Sequence, residues 1–289
     1  GGELFFALKG ERVDGHHFLQ EVSQKGALAA VVSQDYRGES FGLHLIPVQD
    51  PLHALQDLAK TVLALSGTRV VAVTGSLGKT STKEFTKHLL STRYRVAASP
   101  GNSNSQVGVP LAILNDSVGD EEIFVIEMGM TLPGHIARLV QIAPPEVAVI
   151  TNVALVHACS FASLEEIGWA KAEIFSHPHT RLGILNYDIS NFKDLCQVGS
   201  AHKISFSTIY PYADYSIDPC QMILHANLEK SEIQLNPMPV PGKHNIHNLL
   251  AAISVARHFN ISWEEINDAM PSIILPDRRL QFVNHRGIL

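Results

Sequence analysis

The stretch Val70-Val-Ala-Val-Thr-Gly-Ser-Leu-Gly-Lys-Thr-Ser81 decides the fold, because it joins a short apolar run to a glycine turn and then to an amphipathic helical pattern. That succession is typical of a phosphate-binding loop. Gly75 and Gly78 allow backbone N–H groups to face an anion, and the helix that follows adds the positive end of its dipole. Lys79 is then placed to contact the β- and γ-phosphates of a nucleotide, and the Thr80 hydroxyl is placed to bind Mg²⁺.

The loop departs from the common pattern G-x-x-x-x-G-K-[ST] at its first glycine, where this chain has Val73. The alternative interpretation is a glycine turn without a ligand. The order Gly-Lys-Thr-Ser after an apolar strand favours the phosphate loop, because packing alone does not require that order. The predicted nucleotide contacts in the loop are Gly75, Ser76, Gly78, Lys79, Thr80 and Ser81.

Short apolar runs without polar alternation recur along the chain, and they predict the strands of a parallel sheet that is covered on both faces. The predicted strands are Ala27–Val32, Val70–Val73, Ile123–Ile126, Val147–Ile150 and Leu182–Leu185. The predicted helices are Leu52–Leu65, Lys79–Leu90, Leu164–Phe175 and Asn248–His258, with capping boxes at Ser163-x-x-Glu166 and Ser262-x-x-Glu265. This alternation predicts the α/β class, and Ser66-Gly-Thr68 predicts a domain boundary.

Composition and charge exclude several classes of protein. A chain of 289 residues, 45% of them hydrophobic, is predicted to fold into roughly two domains. The 22 Lys and Arg residues against 28 Asp and Glu residues give a net charge of −6, which argues against a nucleic-acid partner. Cys159, Cys196 and Cys220 are odd in number and widely spaced, so a reducing cytoplasm is expected rather than a disulfide framework. No apolar run approaches the roughly 18 residues of a membrane helix.

Two polar residues are expected at the ligand-binding edge of the sheet. Glu127 directly follows the strand Ile123–Ile126, and His157 comes seven residues after Ile150. The ligand crevice of an open parallel sheet lies at the carboxyl ends of its strands, so both side chains could hold Mg²⁺ beside Thr80. The alternatives are a helix-start charge for Glu127 and an incidental position for His157, which is one of 15 histidines.

Lys171 is expected on the apolar face of its helix, because it follows Leu164 by seven positions and Ile167 by four. One interpretation is that its stem covers apolar surface while the ammonium group reaches water. The other is a lysine with a lowered pKa near the active site. The pattern alone does not decide between them.

Asn245 and Asn248 lie three positions apart at the start of a predicted helix. Their amides offer the donor and acceptor that the edge of an adenine requires, whereas the alternative for either residue is a helix N-cap. His244 and His247 have a spacing found in metal sites, but without a third ligand nearby a zinc site is not expected.

Five segments carry a family resemblance. They are Thr74–Ser81, Gly101-Asn-Ser-Asn-Ser-Gln-Val-Gly-Val-Pro110, Val125-Ile-Glu-Met-Gly129, Lys171-Ala-Glu-Ile-Phe175 and Pro241-Gly-Lys-His-Asn-Ile-His-Asn248. In this order they resemble the motifs of the Mur ligases of bacterial peptidoglycan synthesis, and the resemblance extends over essentially the whole chain.

The resemblance implies a domain organisation as well as a fold. It implies a parallel-sheet, phosphate-loop ATPase domain at residues 68–279, preceded by a smaller α/β UDP-sugar-binding domain at residues 1–67. Arg279 matches the arginine that ends the central domain and contacts the nucleotide, with the neighbouring Arg278 as the alternative. Residues 280–289 would begin a third domain, so we expect a fragment of a longer chain whose natural start is also missing.

The resemblance further implies roles for the residues of the phosphate side. Lys79 and Thr80 would hold the ATP phosphates and a Mg²⁺ ion, and Glu127 and His157 would bind magnesium. Lys171 would take up CO₂ as a carbamate, a reaction that turns a neutral amine into an anion able to support Mg²⁺. The implied catalytic residues are Lys79, Glu127, His157 and Lys171. The implied metal ligands are Thr80, Glu127, His157 and Lys171.

The remaining implied roles concern adenine and substrate. Asn245 and Asn248 would face adenine, and Asn102 and Asn104 fall in a segment that lines the substrate cleft. The stretch Gly2–His16 resembles the UDP-sugar-binding domain of the members that join D-Ala-D-Ala to UDP-N-acetylmuramoyl-tripeptide.

The implied activity is an ATP-dependent amide ligase that works through an acyl phosphate, as a cytoplasmic monomer without membrane insertion. The alternatives are a ligase that adds the third residue to UDP-muramoyl-dipeptide, a folylpolyglutamate synthetase, and a module that binds nucleotide and UDP-sugar without turnover.

Overall fold

The computed structural model describes residues 1–116, 119–155, 161–239 and 242–275. The chain divides into two compact units, Gly1–Val62 and Leu63–Leu289. The division falls within the helix Pro51–Ser66, whereas the domain boundaries at residues 67 and 279 stay predictions. No helix within the described ranges is long and apolar enough to span a membrane.

The first unit is built on a three-stranded parallel sheet of order β1-β2-β3. Its strands are β1 (Leu4–Phe6), β2 (Ala29–Ser33) and β3 (His44–Val48). A 3₁₀ turn, Gly15–Phe18, leads into helix α1 (Leu19–Gln24). Its core consists of the buried side chains of Ala7, Leu19, Ala30, Val32 and Leu43.

The second unit contains, among the described residues, a nine-stranded sheet of order β12-β11-β10-β9-β8-β7-β4-β6-β5. Its strands are β4 (Arg69–Thr74), β5 (Val96–Ala98), β6 (Ile123–Glu127), β7 (Val147–Ile150), β8 (Leu182–Asn186), β9 (His202–Ser207), β10 (Tyr215–Asp218), β11 (Ile223–Ala226) and β12 (Ser231–Gln234). The pairings from β5 to β10 are parallel, and those of β10 with β11 and β11 with β12 are antiparallel.

Two helices of the second unit, α3 (Lys79–Leu90) and α8 (Lys243–His258), pack against strands of this sheet. The other helices are α2 (Pro51–Ser66), which contains the division between the units, and α4 (Gly108–Asp116), α5 (His135–Ile142), α6 (Leu164–Ala172), α7 (Phe192–Leu195) and α9 (Trp263–Ala269). The main core joins one face of the sheet, including Val71 and Val73, to α3 and α8. Val70 and Ala72 point to the other face and are also buried, which explains why the strand shows no polar alternation.

The predicted α/β class with a parallel sheet is confirmed, and every predicted strand and helix occurs. The strand Val147–Ile150 and the helix Lys79–Leu90 have the predicted ends, and the ends of the others are shifted. Helix α8 begins five residues before the predicted Asn248, because Gly242, at φ 104°, turns the chain into the helix and acts as its N-cap. Helix α6 ends at Ala172, and Glu173–Phe175 continue it as a 3₁₀ turn.

Of the two predicted capping boxes, one forms completely. Ser262 and Glu265 exchange both hydrogen bonds at the start of α9. At α6 the Ser163 hydroxyl accepts from the Glu166 N–H, but the Glu166 carboxylate accepts from the N–H of Ala162 instead of Ser163. The prediction of a complete capping box at Ser163-x-x-Glu166 is therefore wrong, because the Glu166 carboxylate does not bond to the Ser163 N–H.

Candidate functional site

The phosphate loop connects the end of β4 to the start of α3, and both of its glycines are required by their surroundings. Gly75 has φ 153° and Gly78 has φ 83°, conformations that side chains disfavour. A Cβ atom on Gly75 would overlap the Thr151 hydroxyl, and one on Gly78 would overlap the Asn248 amide. The loop therefore needs glycine at both positions for space as well as for backbone angle.

The residues just after β7 hold this loop in place. The Ser76 N–H donates to the Asn152 carbonyl at 2.8 Å, and the Ser76 hydroxyl exchanges two hydrogen bonds of 2.9 Å with the main chain of Ala154. The Thr151 hydroxyl donates to the Leu77 carbonyl at 2.6 Å. Sequence reasoning missed Thr151 and Asn152, although their position directly after an apolar strand was a usable signal.

Lys79 folds back over the loop. Its ammonium group donates to the Gly75 carbonyl at 2.8 Å and to the Ser76 carbonyl at 3.4 Å. The ammonium group therefore lies over the phosphate loop itself. Its contact with the β- and γ-phosphates stays a prediction.

Glu127 is the centre of a second cluster at this edge of the sheet. Strands β4 and β6 are neighbours, with Val73 opposite Glu127. The Thr80 hydroxyl donates to Glu127 Oε2 at 2.8 Å, and Asn104 Nδ2 donates to Oε1 at 2.6 Å. The carboxylate is 1% exposed.

The donor set of this cluster fits Mg²⁺. A threonine hydroxyl beside a carboxylate supplies the hard oxygen ligands that this ion prefers. Within the described ranges there is no cluster of three or more His, Cys, Asp or Glu side chains arranged to hold a metal ion. His157, the further predicted ligand, lies outside the described residues, as do Arg278 and Arg279.

Lys171 is buried, with 4% of its surface exposed, and lies at the wall of a cavity that Lys79 also lines. Burial, followed by the positive charge of Lys79, lowers its pKa to about 7. No hydrogen bond to its ammonium group is found within the described part of the chain. With a pKa of about 7, a substantial fraction of Lys171 is neutral near pH 7. A neutral amine is what carbamate formation requires.

The first cavity, about 450 Å³ in volume, brings together most of the predicted phosphate-side and substrate residues. Its walls include Gly75, Ser76, Lys79, Asn102, Asn104 and Lys171. Gln106 and His135 also line it, and sequence reasoning missed both. The Gln106 amide donates to the His135 carbonyl at 2.7 Å, which ties the segment after Asn104 to the start of α5.

The second cavity, about 750 Å³ in volume, lies at the start of α8. Its walls include Leu77, Gly78, Ser81, Asn152, Asn245 and Asn248. Asn245 and Asn248 lie within the first turns of α8, so the N-cap alternative is wrong for both. Asn186 and Asp188 also line this cavity and were not singled out from the sequence.

His247, another lining residue, stabilises this part of the site. Its Nε2 donates to the Thr151 carbonyl at 3.2 Å, and its ring packs against Phe206 with ring centres 4.9 Å apart. Burial lowers the pKa of His247, although the Thr151 carbonyl opposes the shift. A neutral imidazole therefore ties α8 to the residue that supports the phosphate loop.

One loop thus lines both cavities: Gly75, Ser76 and Lys79 face the first, and Leu77, Gly78 and Ser81 face the second. A ligand that reaches from one cavity to the other would pass over the loop. Together with the covered parallel sheet, this arrangement defines a phosphate-loop α/β protein.

Comparison with known families identifies the family within this class. A family model described as Mur ligase middle domain matches residues 73–256, and one described as Mur ligase family, catalytic domain, matches residues 1–62. The chain belongs to the Mur ligase family.

Individual relatives agree with this assignment. A UDP-N-acetylmuramoyl-tripeptide–D-alanyl-D-alanine ligase of Bacillus subtilis is 35% identical over 284 residues, which cover 97% of this chain and 61% of that protein. A crystal structure of MurF from Acinetobacter baumannii is 28% identical with a TM-score of 0.87, covering 99% of this chain and 62% of that one.

MurF from Thermotoga maritima, solved in complex with ADP, is 30% identical with a TM-score of 0.81, covering 96% of this chain and 64% of that one. The chain therefore spans less than two thirds of the length of each of these three proteins.

Proposed function

We propose that this chain is the part of an ATP-dependent ligase that binds ATP and the UDP-linked precursor, and that the whole enzyme joins D-Ala-D-Ala to UDP-N-acetylmuramoyl-tripeptide. The observation that carries the proposal is the phosphate loop shared by two cavities. One cavity carries Lys79 and Lys171, and the other carries Asn245 and Asn248. The names of the relatives support this choice of substrates over that of a ligase adding the third residue.

In this proposal the adenine lies in the second cavity, where the amides of Asn245 and Asn248 provide a donor and an acceptor for its edge. The triphosphate crosses the loop, whose N–H groups and Lys79 balance its charge. Its γ-phosphate then enters the first cavity. Asn102 and Asn104 line that cavity. In this proposal they contact the UDP-linked substrate.

The chemistry follows from that placement. The terminal carboxylate of the tripeptide attacks the γ-phosphate, which gives an acyl phosphate and ADP. The amine of D-Ala-D-Ala then displaces phosphate and forms the amide. Lys79 stabilises charge on the transferring group, and alignment of the reacting atoms accounts for much of the rate.

Magnesium, when bound, neutralises charge on the phosphate oxygens. Thr80 and Glu127 would hold it, with His157 and the carbamate of Lys171 as further proposed ligands. Neutral Lys171 attacks CO₂ through its nitrogen and loses a proton, which leaves a carbamate anion. Arg279 is proposed to contact the nucleotide from the end of the central domain. We also propose a cytoplasmic monomer, in keeping with three widely spaced cysteines.

A second candidate function is a module that binds both ligands without turnover. It is favoured because the match to this chain covers only 61% of the Bacillus subtilis relative. Formation of the amide needs the amine within ~3–3.5 Å of the acyl carbon. Among the described residues we assign none to the binding of that amine.

Product analysis by mass spectrometry separates the two candidates. The 289-residue chain and a longer chain from the same gene are each given UDP-muramoyl-tripeptide, ATP, Mg²⁺ and D-Ala-D-Ala. We expect the amide product only from the longer chain, and at most slow phosphate release from the shorter one. Product from the shorter chain at ~1 s⁻¹, the low end of enzyme turnover, would show that the amine site lies within residues 1–289. Absence of product from both would contradict the proposed ligase.

A further inference from the structure

Lys83 is fully buried, although it lies only four residues after Lys79 on the same helix. Its ammonium group donates to the carbonyl oxygen of Ser99 and, at 3.0 Å, to that of Gly101. It also pairs with Glu84 Oε1 at 3.0 Å. Two carbonyl acceptors and one paired carboxylate thus surround the buried ammonium group.

Packing alone does not explain a lysine at this position. Burial of a charged group carries a desolvation penalty that an apolar side chain of similar volume avoids. Two of the three partners of Lys83 are main-chain carbonyls within one short stretch, which we call the asparagine segment, residues 99–107. The contacts of Lys83 therefore fix the path of this backbone against α3.

The asparagine segment contributes Asn102 and Asn104 to the wall of the first cavity, and it also contacts Glu127. The Ser99 hydroxyl accepts from the Glu127 N–H at 3.2 Å. Further along, the Asn104 amide donates to the Glu127 carboxylate at 2.6 Å, and its carbonyl accepts from the Gly129 N–H at 2.8 Å. The segment thus contacts Glu127 at its backbone and at its side chain.

Gly101 shows why this segment needs an anchor. It has φ 50°, and a Cβ atom there would meet nothing within 4 Å, so packing around Gly101 does not hold its conformation. The hydrogen bond from Lys83 to its carbonyl supplies a fixed contact at this turn. Asn102, the next residue, lines the first cavity.

We propose that Lys83 is a positioning residue, which ties α3 to the asparagine segment and so keeps Asn104 and Glu127 in register with Thr80. It touches neither cavity, so it acts only through these residues. The effect of Lys83 on Mg²⁺ and ATP binding rests on the proposed function. Its effect on the conformation of the asparagine segment does not. A lysine that merely stabilised the core would affect α8, the other main partner of α3, as much as the segment.

Hydrogen exchange measured by mass spectrometry on the 289-residue chain tests this directly. In Lys83→Met, which keeps the length of the side chain but removes its donors, we expect amides of residues 101–107 to exchange about tenfold faster. Amides of α8 should stay within about twofold of wild type. The matched control is Glu84→Gln, which removes the ion pair but keeps both carbonyl contacts and should leave the segment unchanged.

A second readout concerns the metal cluster. Because Glu127 and Thr80 would lose their fixed spacing, the Mg²⁺ concentration that half-saturates ATP binding should rise about tenfold in Lys83→Met, equivalent to ~1.4 kcal/mol. ATP affinity at saturating Mg²⁺ should change less than about twofold, because Lys83 does not line the second cavity.

Unchanged exchange at residues 101–107, or equal acceleration there and in α8, would overturn the proposal. If Lys83→Met shows no cooperative thermal transition, Lys83→Gln, which keeps one donor group, takes its place. Failure of both variants to fold would also overturn it, because the lysine would then serve the whole core. If the segment loosens but wild type binds no ATP, the proposed function fails while the positioning role stands.

Discussion

The Thr80 hydroxyl donates a hydrogen bond of 2.8 Å to Glu127 Oε2, which joins the first turn of α3 to the end of β6. The two residues are 47 positions apart in sequence but meet because β4 and β6 are neighbouring parallel strands. Carboxyl ends of parallel strands gather at one edge, so the phosphate loop and a carboxylate arrive together. This contact is the geometric basis for the proposed magnesium site.

Replacement of Glu127 by Gln tests that site. The amide keeps the shape of the side chain but removes the negative charge that a divalent cation requires. We expect the Mg²⁺ concentration for half-maximal ATP binding to rise about tenfold, or ~1.4 kcal/mol, in a calorimetric titration. Glu122→Gln, at an exposed position directly before the same strand, is the control and should match wild type. An unaltered Mg²⁺ dependence in Glu127→Gln would remove Glu127 from the metal site.

Carbamate formation on Lys171 should depend on pH in a defined direction. The pKa of Lys171 is lowered to about 7 by burial and then by the charge of Lys79, so the neutral amine dominates above pH 7. With ¹³C-bicarbonate, we expect a carbamate signal in the NMR spectrum at pH 8 that weakens towards pH 6. The signal should be missing in Lys171→Met, and its persistence there would assign the carbamate to another lysine.

The same lysine should make the stability of the protein depend on pH. Its ordinary pKa of 10.5 applies to the unfolded chain, which therefore binds more protons than the folded chain between pH 7 and 10.5. The penalty for the buried charge is full below pH 7 and is relieved as pH rises above it. In CO₂-free buffer, the free energy of unfolding of wild type should rise relative to that of Lys171→Met from pH 7 to 9. Parallel curves for the two proteins would contradict the buried, titrating lysine.

Gly78→Ala should abolish nucleotide binding, because a methyl group there overlaps the Asn248 amide and opposes a positive φ. Gly67→Ala is a matched control, since Gly67 has φ 68° but open space around the added carbon. Both variants should lose some stability from backbone strain, by ~1 kcal/mol or more. Only Gly78→Ala should lose ATP affinity, and an equal effect of the two would mean that strain alone, not the site, is responsible.

The sequence predicts the strands and the loop that carry the candidate ligand-binding residues better than it predicts the contacts that hold those residues in place. The loop from Gly75 to Ser81 could be predicted because glycine, lysine and hydroxyl residues in that order follow from phosphate chemistry. Glu127 could be predicted because the residue after a parallel strand faces the crevice. The apolar runs of the central strands were long enough to mark a parallel sheet.

Other features depend on pairings that no local pattern reveals. Strands β11 and β12 follow β10 as an antiparallel extension. Each is only four residues long, too short for its alternation of more and less buried residues to be recognised in the sequence. Lys83 sits on a predicted amphipathic helix, where a lysine is ordinarily solvent-exposed, so only the path of residues 99–101 explains its burial. The hydrogen bond from His247 to the Thr151 carbonyl joins residues that are 96 positions apart in sequence. It could likewise be recognised only in the folded structure.

Binding of the ATP phosphates by Lys79, in the loop between β4 and α3, is the step on which the proposed ligase activity depends most. Calorimetric titration of the 289-residue chain with ATP and Mg²⁺, comparing wild type, Lys79→Ala and Lys87→Ala, measures this directly. Lys87 lies in the last turn of the same helix and controls for loss of one positive charge. We predict that affinity falls more than about tenfold in Lys79→Ala and stays within about twofold in Lys87→Ala. A change of less than about threefold in Lys79→Ala, ~0.6 kcal/mol, would contradict the assignment of the loop.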